Sequence, residues 1–284
     1  MIRRVLIAAL AALACGIALV AFNPSPMAQW SPPAMLSAMP TPASGCSQAT
    51  TFLARGTFDG THTSALTTAI CGFVADGTWT GFDFLYFLAN QTVADAKLNL
   101  VSTSFTISPN GSPTFTADRG YSGLDASTDT LSTGLNSGAG SNATQNSASI
   151  GIWVGTSSTG ADHYGAYVGD GGEFWLDYDE LGNGTGEIFD SQALTTTGEP
   201  PTGTLVSINR SGSAARQIYQ GGTSNKSDTR ASTTPGDVAI LIRNEFSRTG
   251  VVVAAAFVGR SFSSTEQANI YSRINTYLAA VGGQ

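Results

Sequence analysis

Short stretches of β-branched and aromatic residues recur along the chain from about residue 98 onward. They lie about 10–20 residues apart and are separated by clusters of Gly, Asn, Asp and Ser, a pattern that favours a β-sandwich or barrel. No helical pattern alternates with them and no Gly-rich phosphate loop is present, which excludes a Rossmann or P-loop fold. The predicted strands are Leu98–Val101, Thr114–Thr116, Ala148–Val154, His163–Val168, Glu173–Asp177, Thr204–Asn209, Ala214–Tyr219, Val238–Arg243 and Val251–Val258.

Two helices are predicted at the edges of this β region. Residues 59–76 place apolar side chains at helical spacing, from Leu66 to Val74, behind the possible N-cap residue Asp59. Near the C-terminus, Ser263 and Glu266 form a capping-box pattern before an apolar helical face. A dense apolar run between residues 82 and 88 predicts a buried element that supports the larger domain.

Composition excludes several classes of protein. Only 12% of the 284 residues are charged, the net charge is −7, and 33 residues are glycine. A disordered chain would be more charged or less apolar, and a coiled coil would be rich in Ala, Glu, Lys and Leu. A nucleic-acid partner is not expected, because the usual basic surface is missing.

The N-terminus predicts export. Arg3 and Arg4 precede residues 5–22, which carry no charge. This is typical of a secretory signal, although the run is also long enough for an uncleaved membrane anchor, and a lipoprotein cleaved at Cys15 is a less favoured third possibility. The domain is then expected outside the cytoplasm: secreted, periplasmic or membrane-anchored. The predicted organisation is residues 1–28 as signal or anchor, 29–50 as a Pro-rich linker, 51–97 as a helical preface and 98–284 as the sandwich.

Two cysteines remain outside the export segment. Cys46 and Cys71 are predicted to form a disulfide, since exported domains are oxidised. Closing a loop of this length is worth about 3 kcal/mol in the loop-entropy model. Two buried free thiols are the alternative. The histidines, His62 and His163, have no second histidine or cysteine at metal-ligand spacing and no recognisable catalytic partner.

Three segments carry a family resemblance. Residues 110–123, residues 144–149 with the strand that follows, and the C-terminal residues 263–282 resemble segments of phage and prophage virion-associated proteins. Those proteins contain a concanavalin A-like, LamG-type domain. The resemblance covers about residues 50–284 and implies a two-sheet jelly-roll β-sandwich with a short helical preface and a closing helix. It also implies attachment or surface recognition, and no catalytic residue.

One segment combines aromatic and acidic side chains in a way that suits a sugar. Aromatic rings pack on the C–H face of a sugar ring, and carboxylates accept its hydroxyl protons. The predicted glycan-binding residues are Tyr164, Tyr167, Asp170, Trp175, Asp177 and Tyr178. The alternative is that these aromatic residues belong to the core of the sandwich.

The same segment could hold Ca²⁺, which prefers six to eight oxygen ligands. Asp170, Asp177 and Asp179 are the predicted ligands, and Asp125 with Asp129 form a second candidate group. No EF-hand pattern is present. LamG-type domains often bind calcium, so the resemblance also favours the ion.

A glycoside hydrolase is a further alternative on the same fold. Retaining β-glucanases carry Glu-x-Asp-x-x-Glu on one strand, but here Glu173 and Asp177 are four residues apart and Glu180 would face the other way. The Asp118-Arg119 pair is interpreted as a structural ion pair or turn.

The leading hypothesis is therefore non-catalytic recognition of a glycan or cell-surface ligand, and the first alternative is a structural virion or envelope component that packs against protein partners.

Overall fold

The structure is a computed structural model that describes residues 45–125, 128–140, 142–155, 166–169, 174–178, 184–196, 203–243 and 251–283, with the backbone alone for residues 166–168 and 178. The predicted export segment and most of the Pro-rich linker lie outside these ranges. The helices are α1 (Ser47–Leu53), α2 (Gly60–Ala75), α3 (Val93–Ala96) and α4 (Ser264–Val281), and a 3-10 turn spans Trp79–Gly81.

The strands of the described residues follow in chain order. They are β1 (Phe82–Phe87), β2 (Ser108–Asn110), β3 (Thr114–Thr116), β4 (Gly120–Ser122), β5 (Thr130–Asn136), β6 (Ala148–Val154), β7 (Ala166–Gly169), β8 (Phe174–Tyr178), β9 (Gly184–Ile188), β10 (Leu194–Thr195), β11 (Thr204–Arg210), β12 (Ala215–Gln220), β13 (Thr223–Thr229), β14 (Ala239–Arg243) and β15 (Val253–Gly259).

These strands form two antiparallel sheets. The central sheet has the order β13-β12-β11-β6-β15-β4-β3, with β1 also paired to β15. The outer sheet has the order β10-β9-β8-β7-β14-β5-β2. The predicted mainly β, two-sheet sandwich with N-terminal helices and a closing C-terminal helix is confirmed.

The middle strands of the central sheet, β6, β11 and β15, are buried on both faces. One face packs against the outer sheet through residues such as Ile150 and Ile152 of β6, which meet Leu176 of β8 and Ile242 of β14 in one apolar cluster. The other face packs against α1, α2 and α4, and Trp153 of β6 belongs to this second cluster. The result is three layers, which explains why every residue of β6, β11 and β15 is buried and why β6 and β15 are mostly apolar along their whole length and not alternating.

The two flanking helices begin and end where the sequence predicts. The Asp59 side chain accepts a hydrogen bond from the backbone N–H of His62 at the start of α2. Ser263 and Glu266 form the reciprocal capping box of α4, and Gly282 ends that helix in the left-handed conformation. Arg273 of α4 pairs with the carboxylate of Asp76 at 2.8 Å and ties the two helices together.

Two of the predicted segments take a different form in the structure. The apolar run after residue 81 is β1, a strand of the central sheet, although residues 51–97 are expected to form a helical preface. Leu98–Val101 is not a strand. The Asn99 carboxamide replaces strand pairing, because its oxygen accepts from the N–H groups of Leu85 and Val101 and its nitrogen donates to the carbonyl of Asp83.

Candidate functional site

The predicted glycan segment forms part of the outer sheet. On β8, Phe174 and Leu176 lie in the core between the sheets, so Trp175 and Asp177 occupy the opposite face. Trp175 is half-buried and Asp177 is 6% exposed. The backbone of Tyr167 on β7 pairs directly with Asp177. Tyr178 ends β8, whereas Tyr164, Asp170 and Asp179 lie outside the described residues.

Calcium binding stays a prediction. Across the described ranges, no three His, Cys, Asp or Glu side chains come together in a group that could hold a metal ion. The second candidate group, Asp125 and Asp129, forms hydrogen bonds to nearby backbone N–H groups. Asp125 accepts from the N–H of Thr128, and Asp129 accepts from the N–H of Ser112.

The predicted disulfide is present. The Cys46 and Cys71 sulfur atoms are 2.11 Å apart. Cys46 is the residue before α1, and Cys71 lies in α2, so the bond fixes α1 against the larger helix. This matters for the surface, because α1 and Arg55, two residues beyond its end, form one wall of a cleft.

That cleft surrounds Trp79, and we call it the Trp79 cleft. A first hollow of about 190 Å³ lies between α1 and the loop after β1, and a second hollow of about 410 Å³ lies on the other side, next to β1. The two hollows share Trp79, Val101 and Ser102. Polar groups that line them come from Gln48, Thr51, Arg55, Asp83, Ser102 and Ser104.

The local fold holds Trp79 at the surface. Helix α2 ends before Gly77, which takes a positive φ of 72°. The buried Thr78 hydroxyl donates to the carbonyl of Phe73 at 3.2 Å, and the Gly81 N–H donates to the carbonyl of Thr78 at 2.9 Å. This tight turn leaves Trp79 half-buried while Phe82, three residues later, enters the core.

Arg55 is the cation of the cleft. Its Nη1 donates to the backbone carbonyl of Asn99 at 2.6 Å, and its Cζ lies 5.3 Å from the centre of the Phe52 ring. Burial lowers the pKa of the Arg55 guanidinium from its ordinary value. An arginine stays protonated in spite of such a shift. The cleft therefore combines an aromatic face with a fixed positive charge and several hydrogen-bonding groups.

His62 has partners that the sequence does not reveal. Its Nδ1 lies 2.9 Å from the Asp59 carboxylate and its Nε2 lies 2.9 Å from that of Asp118. The imidazole is 4% exposed and joins the start of α2 to the turn between β3 and β4. Asp118 therefore connects the β3–β4 turn to α2 through this histidine.

Comparison with known proteins finds relatives in fold only. No protein-family model and no curated protein sequence matches the chain. The receptor-binding domain of a botulinum neurotoxin C/D mosaic serotype matches with 12% identity and a TM-score of 0.52, over 68% of this chain and 51% of that one. The ligand-binding domain of botulinum neurotoxin serotype D, in complex with N-acetylneuraminic acid, matches with 14% identity and a TM-score of 0.52, over 70% and 52%.

A third match is domain 4 of AbnA, an extracellular arabinanase from Geobacillus stearothermophilus, in complex with arabinotriose. Its identity is 13% and its TM-score is 0.45, over 67% of this chain and 98% of that one. The chain aligns with about half the length of the neurotoxin domains. The two neurotoxin matches show the fold alone, a β-sandwich. Within the described residues, no helix is both long enough and apolar enough to cross a bilayer.

Proposed function

We propose that the chain is a non-catalytic carbohydrate-recognition protein that holds its ligand in the Trp79 cleft. One observation carries the proposal: a half-buried tryptophan stands between two hollows lined by polar side chains. An indole face packs against the apolar face of a sugar ring, and amide, hydroxyl and guanidinium groups around it bind the ring hydroxyls.

The fold supports a sugar as ligand. One relative in fold is a neurotoxin ligand-binding domain in complex with N-acetylneuraminic acid, so a sandwich of this kind can bind a sugar. The residues that bind must still come from this chain, because fold alone does not determine function. The concanavalin A-like, LamG-type grouping and a prophage origin belong to the same proposal and rest on residues 110–123, 144–149 and 263–282.

The proposal places the domain outside the cytoplasm. Arg3 and Arg4 before the uncharged residues 5–22 support export, and the Cys46–Cys71 disulfide suits an oxidising compartment. The segment around Trp175 and Asp177 is kept as a second candidate surface. Calcium bound there by Asp170, Asp177 and Asp179 is part of that second candidate, as is a glycan contact of Tyr164, Tyr167 and Tyr178.

A glycan array tests the proposal. The full chain, Trp79→Ala and Trp175→Ala would be applied to neutral and acidic polysaccharides, once with Ca²⁺ and once with EDTA. We expect Trp79→Ala to weaken binding about tenfold or more, since burying a large aromatic side chain is worth about 1.5–3 kcal/mol. Trp175→Ala is the matched control on the outer sheet.

Each other outcome has a definite meaning. If the wild-type chain binds no saccharide under either condition, the proposal is wrong and a structural virion or envelope role gains weight. If EDTA and Trp175→Ala both abolish binding while Trp79→Ala does not, the site lies in the outer sheet and calcium belongs to it.

A further inference from the structure

We infer that the Trp79 cleft selects acidic saccharides, whose carboxylate or sulfate group is bound by Arg55. This inference rests on the proposed function and names its class of ligand. It follows from the way that Arg55 is held, from the absence of an anion beside it among the described residues, and from the arrangement of the two hollows around Trp79.

Arg55 is fixed in position before any ligand arrives. The hydrogen bond from its Nη1 to the Asn99 carbonyl and its position over the Phe52 ring anchor the guanidinium from two directions. In the described part of the chain, no other acceptor takes its remaining N–H groups. A planar guanidinium that is already immobilised loses little side-chain entropy when it forms a fork-shaped pair with a carboxylate or sulfate.

The described residues place no counter-ion beside Arg55. Among the described residues, no carboxylate oxygen lies within 4.0 Å of its guanidinium nitrogens. Other buried or half-buried arginines of this chain do have such partners, namely Arg210, Arg216, Arg260 and Arg273. Partial burial of a cation without an anion is unfavourable, and a bound anion would offset that cost.

The carboxylates nearest to the cleft are engaged elsewhere. Asp95 lines the hollow on the far side of Arg55, where its carboxylate accepts from the Thr92 hydroxyl at 2.6 Å. Asp83 lines the larger hollow and accepts from the backbone N–H groups of Asn142 and Ala143 at 2.9 and 2.8 Å. These bonds orient both carboxylates into the protein.

The geometry also sets a minimum length for the ligand. Arg55 lies in the smaller hollow, Asp83 lies in the larger one, and Trp79 separates them. A saccharide with one ring over Trp79 and its acidic group at Arg55 would extend its next unit into the larger hollow. The ligand is therefore an acidic oligosaccharide of at least two units, with a neutral, hydroxyl-rich part over Ser102 and Ser104.

The test compares acidic and neutral oligosaccharides of equal length. Uronic-acid oligomers, sulfated oligomers and neutral oligomers would be titrated into the full chain by calorimetry. The variants are Arg55→Gln, Arg55→Lys and Trp79→Ala, and Lys226→Gln is the matched loss of one positive charge on the exposed edge strand β13. The uronic and sulfated series separate the two possible anions.

We expect acidic oligomers to bind about ten- to a hundredfold more tightly than neutral ones, the range that a charged hydrogen bond of about 1.5–3 kcal/mol gives. Arg55→Gln should remove this preference, so that acidic and neutral oligomers bind that variant about equally, Arg55→Lys should restore part of the preference, and Lys226→Gln should have little effect. The preference should also weaken with salt.

Different failures have different meanings. If neutral and acidic oligomers bind equally and Arg55→Gln has no effect, the acidic ligand is excluded while carbohydrate recognition stands. If Lys226→Gln weakens acidic binding as much as Arg55→Gln does, the effect is one of net charge and the role of Arg55 is wrong. If no oligomer binds, the proposed function itself fails.

Discussion

Gly151 shows how closely one residue of β6 is packed. A Cβ atom at this position would overlap the Phe257 ring, with the ring Cζ only 2.6 Å away. The ring cannot move aside easily, because it is fully buried and packs edge-on against Phe82 and Phe262. We expect Gly151→Ala to destabilise the protein by about 1–3 kcal/mol, as overpacking usually does.

Thermal unfolding checks this prediction against Gly155→Ala. At Gly155 the nearest atom to a new Cβ, the carbonyl oxygen of Val252, is 3.6 Å away, which is an ordinary contact. The control should change stability by less than about 0.5 kcal/mol. Equal melting temperatures for the two variants would contradict the tight packing of the Phe257 ring.

At the residue scale, the sequence shows which side chains are chemically suitable but not which of them meet. Trp79, Arg55 and Ser102 come from three segments, and their neighbourhood depends on α1 and on the loop around Asn99. The only local signal was an aromatic residue two positions after the glycine that ends a helical pattern. His62 is similar, because its partner Asp118 is 56 residues away.

The disulfide acts on the element α1. With seven residues, α1 is too short to be stable alone, and Cys46 joins its start to α2. We expect the double variant Cys46→Ser/Cys71→Ser to lose about 3 kcal/mol of stability, as for other loops of this length. It should also bind saccharide more weakly, because Gln48, Thr51 and Arg55 lie on or next to α1.

Melting curves with and without a reductant check the disulfide prediction. The reductant should lower the melting temperature of the wild type and leave the serine variant unchanged. If the disulfide of the wild type is fully reduced and its melting temperature does not change, the bond adds no stability.

At the element scale, the sequence predicts the buried strands well and the exposed ones poorly. β6, β11 and β15 are seven-residue strands that are buried along their whole length, and the sequence predicts all three within two residues of their ends. β13 (Thr223–Thr229) was missed because it is polar and exposed and is held by its pairing with β12 alone. Leu98–Val101 was the opposite error, since apolar content cannot show that an asparagine side chain takes over the hydrogen bonds of β1.

A buried ion network joins the two sheets at the scale of the whole molecule. Asp190, just after β9 of the outer sheet, accepts from Arg210 at 2.5 Å and from Arg216 at 2.7 Å, and both arginines belong to the central sheet. All three side chains are fully buried. We expect Asp190→Asn to cost about 3–5 kcal/mol, because it leaves two buried guanidinium groups beside a neutral amide.

Chemical denaturation of the wild type, Asp190→Asn and Asp228→Asn would measure the loss in free energy of unfolding for each variant. Asp228 also pairs with Arg216, whose hydrogen bonds hold the pKa of that carboxyl below its ordinary value, but its side chain is 36% exposed. The loss for Asp228→Asn should therefore be clearly smaller. Similar losses of stability in the two variants would show that the buried Asp190 pairs between the sheets contribute no more than the partly exposed Asp228 pair.

The pairing of β1 with β15 has a consequence for the order in which the chain is made. Phe82 lies opposite Gly259 and Phe87 lies opposite Ala255. The strand β1 therefore cannot pair until β15, near the other end of the described chain, is available. Contacts between such distant segments form late and slowly. A chain still emerging from the ribosome cannot close its central sheet until Val253–Gly259 has been made, so β1 stays without its partner strand through most of synthesis.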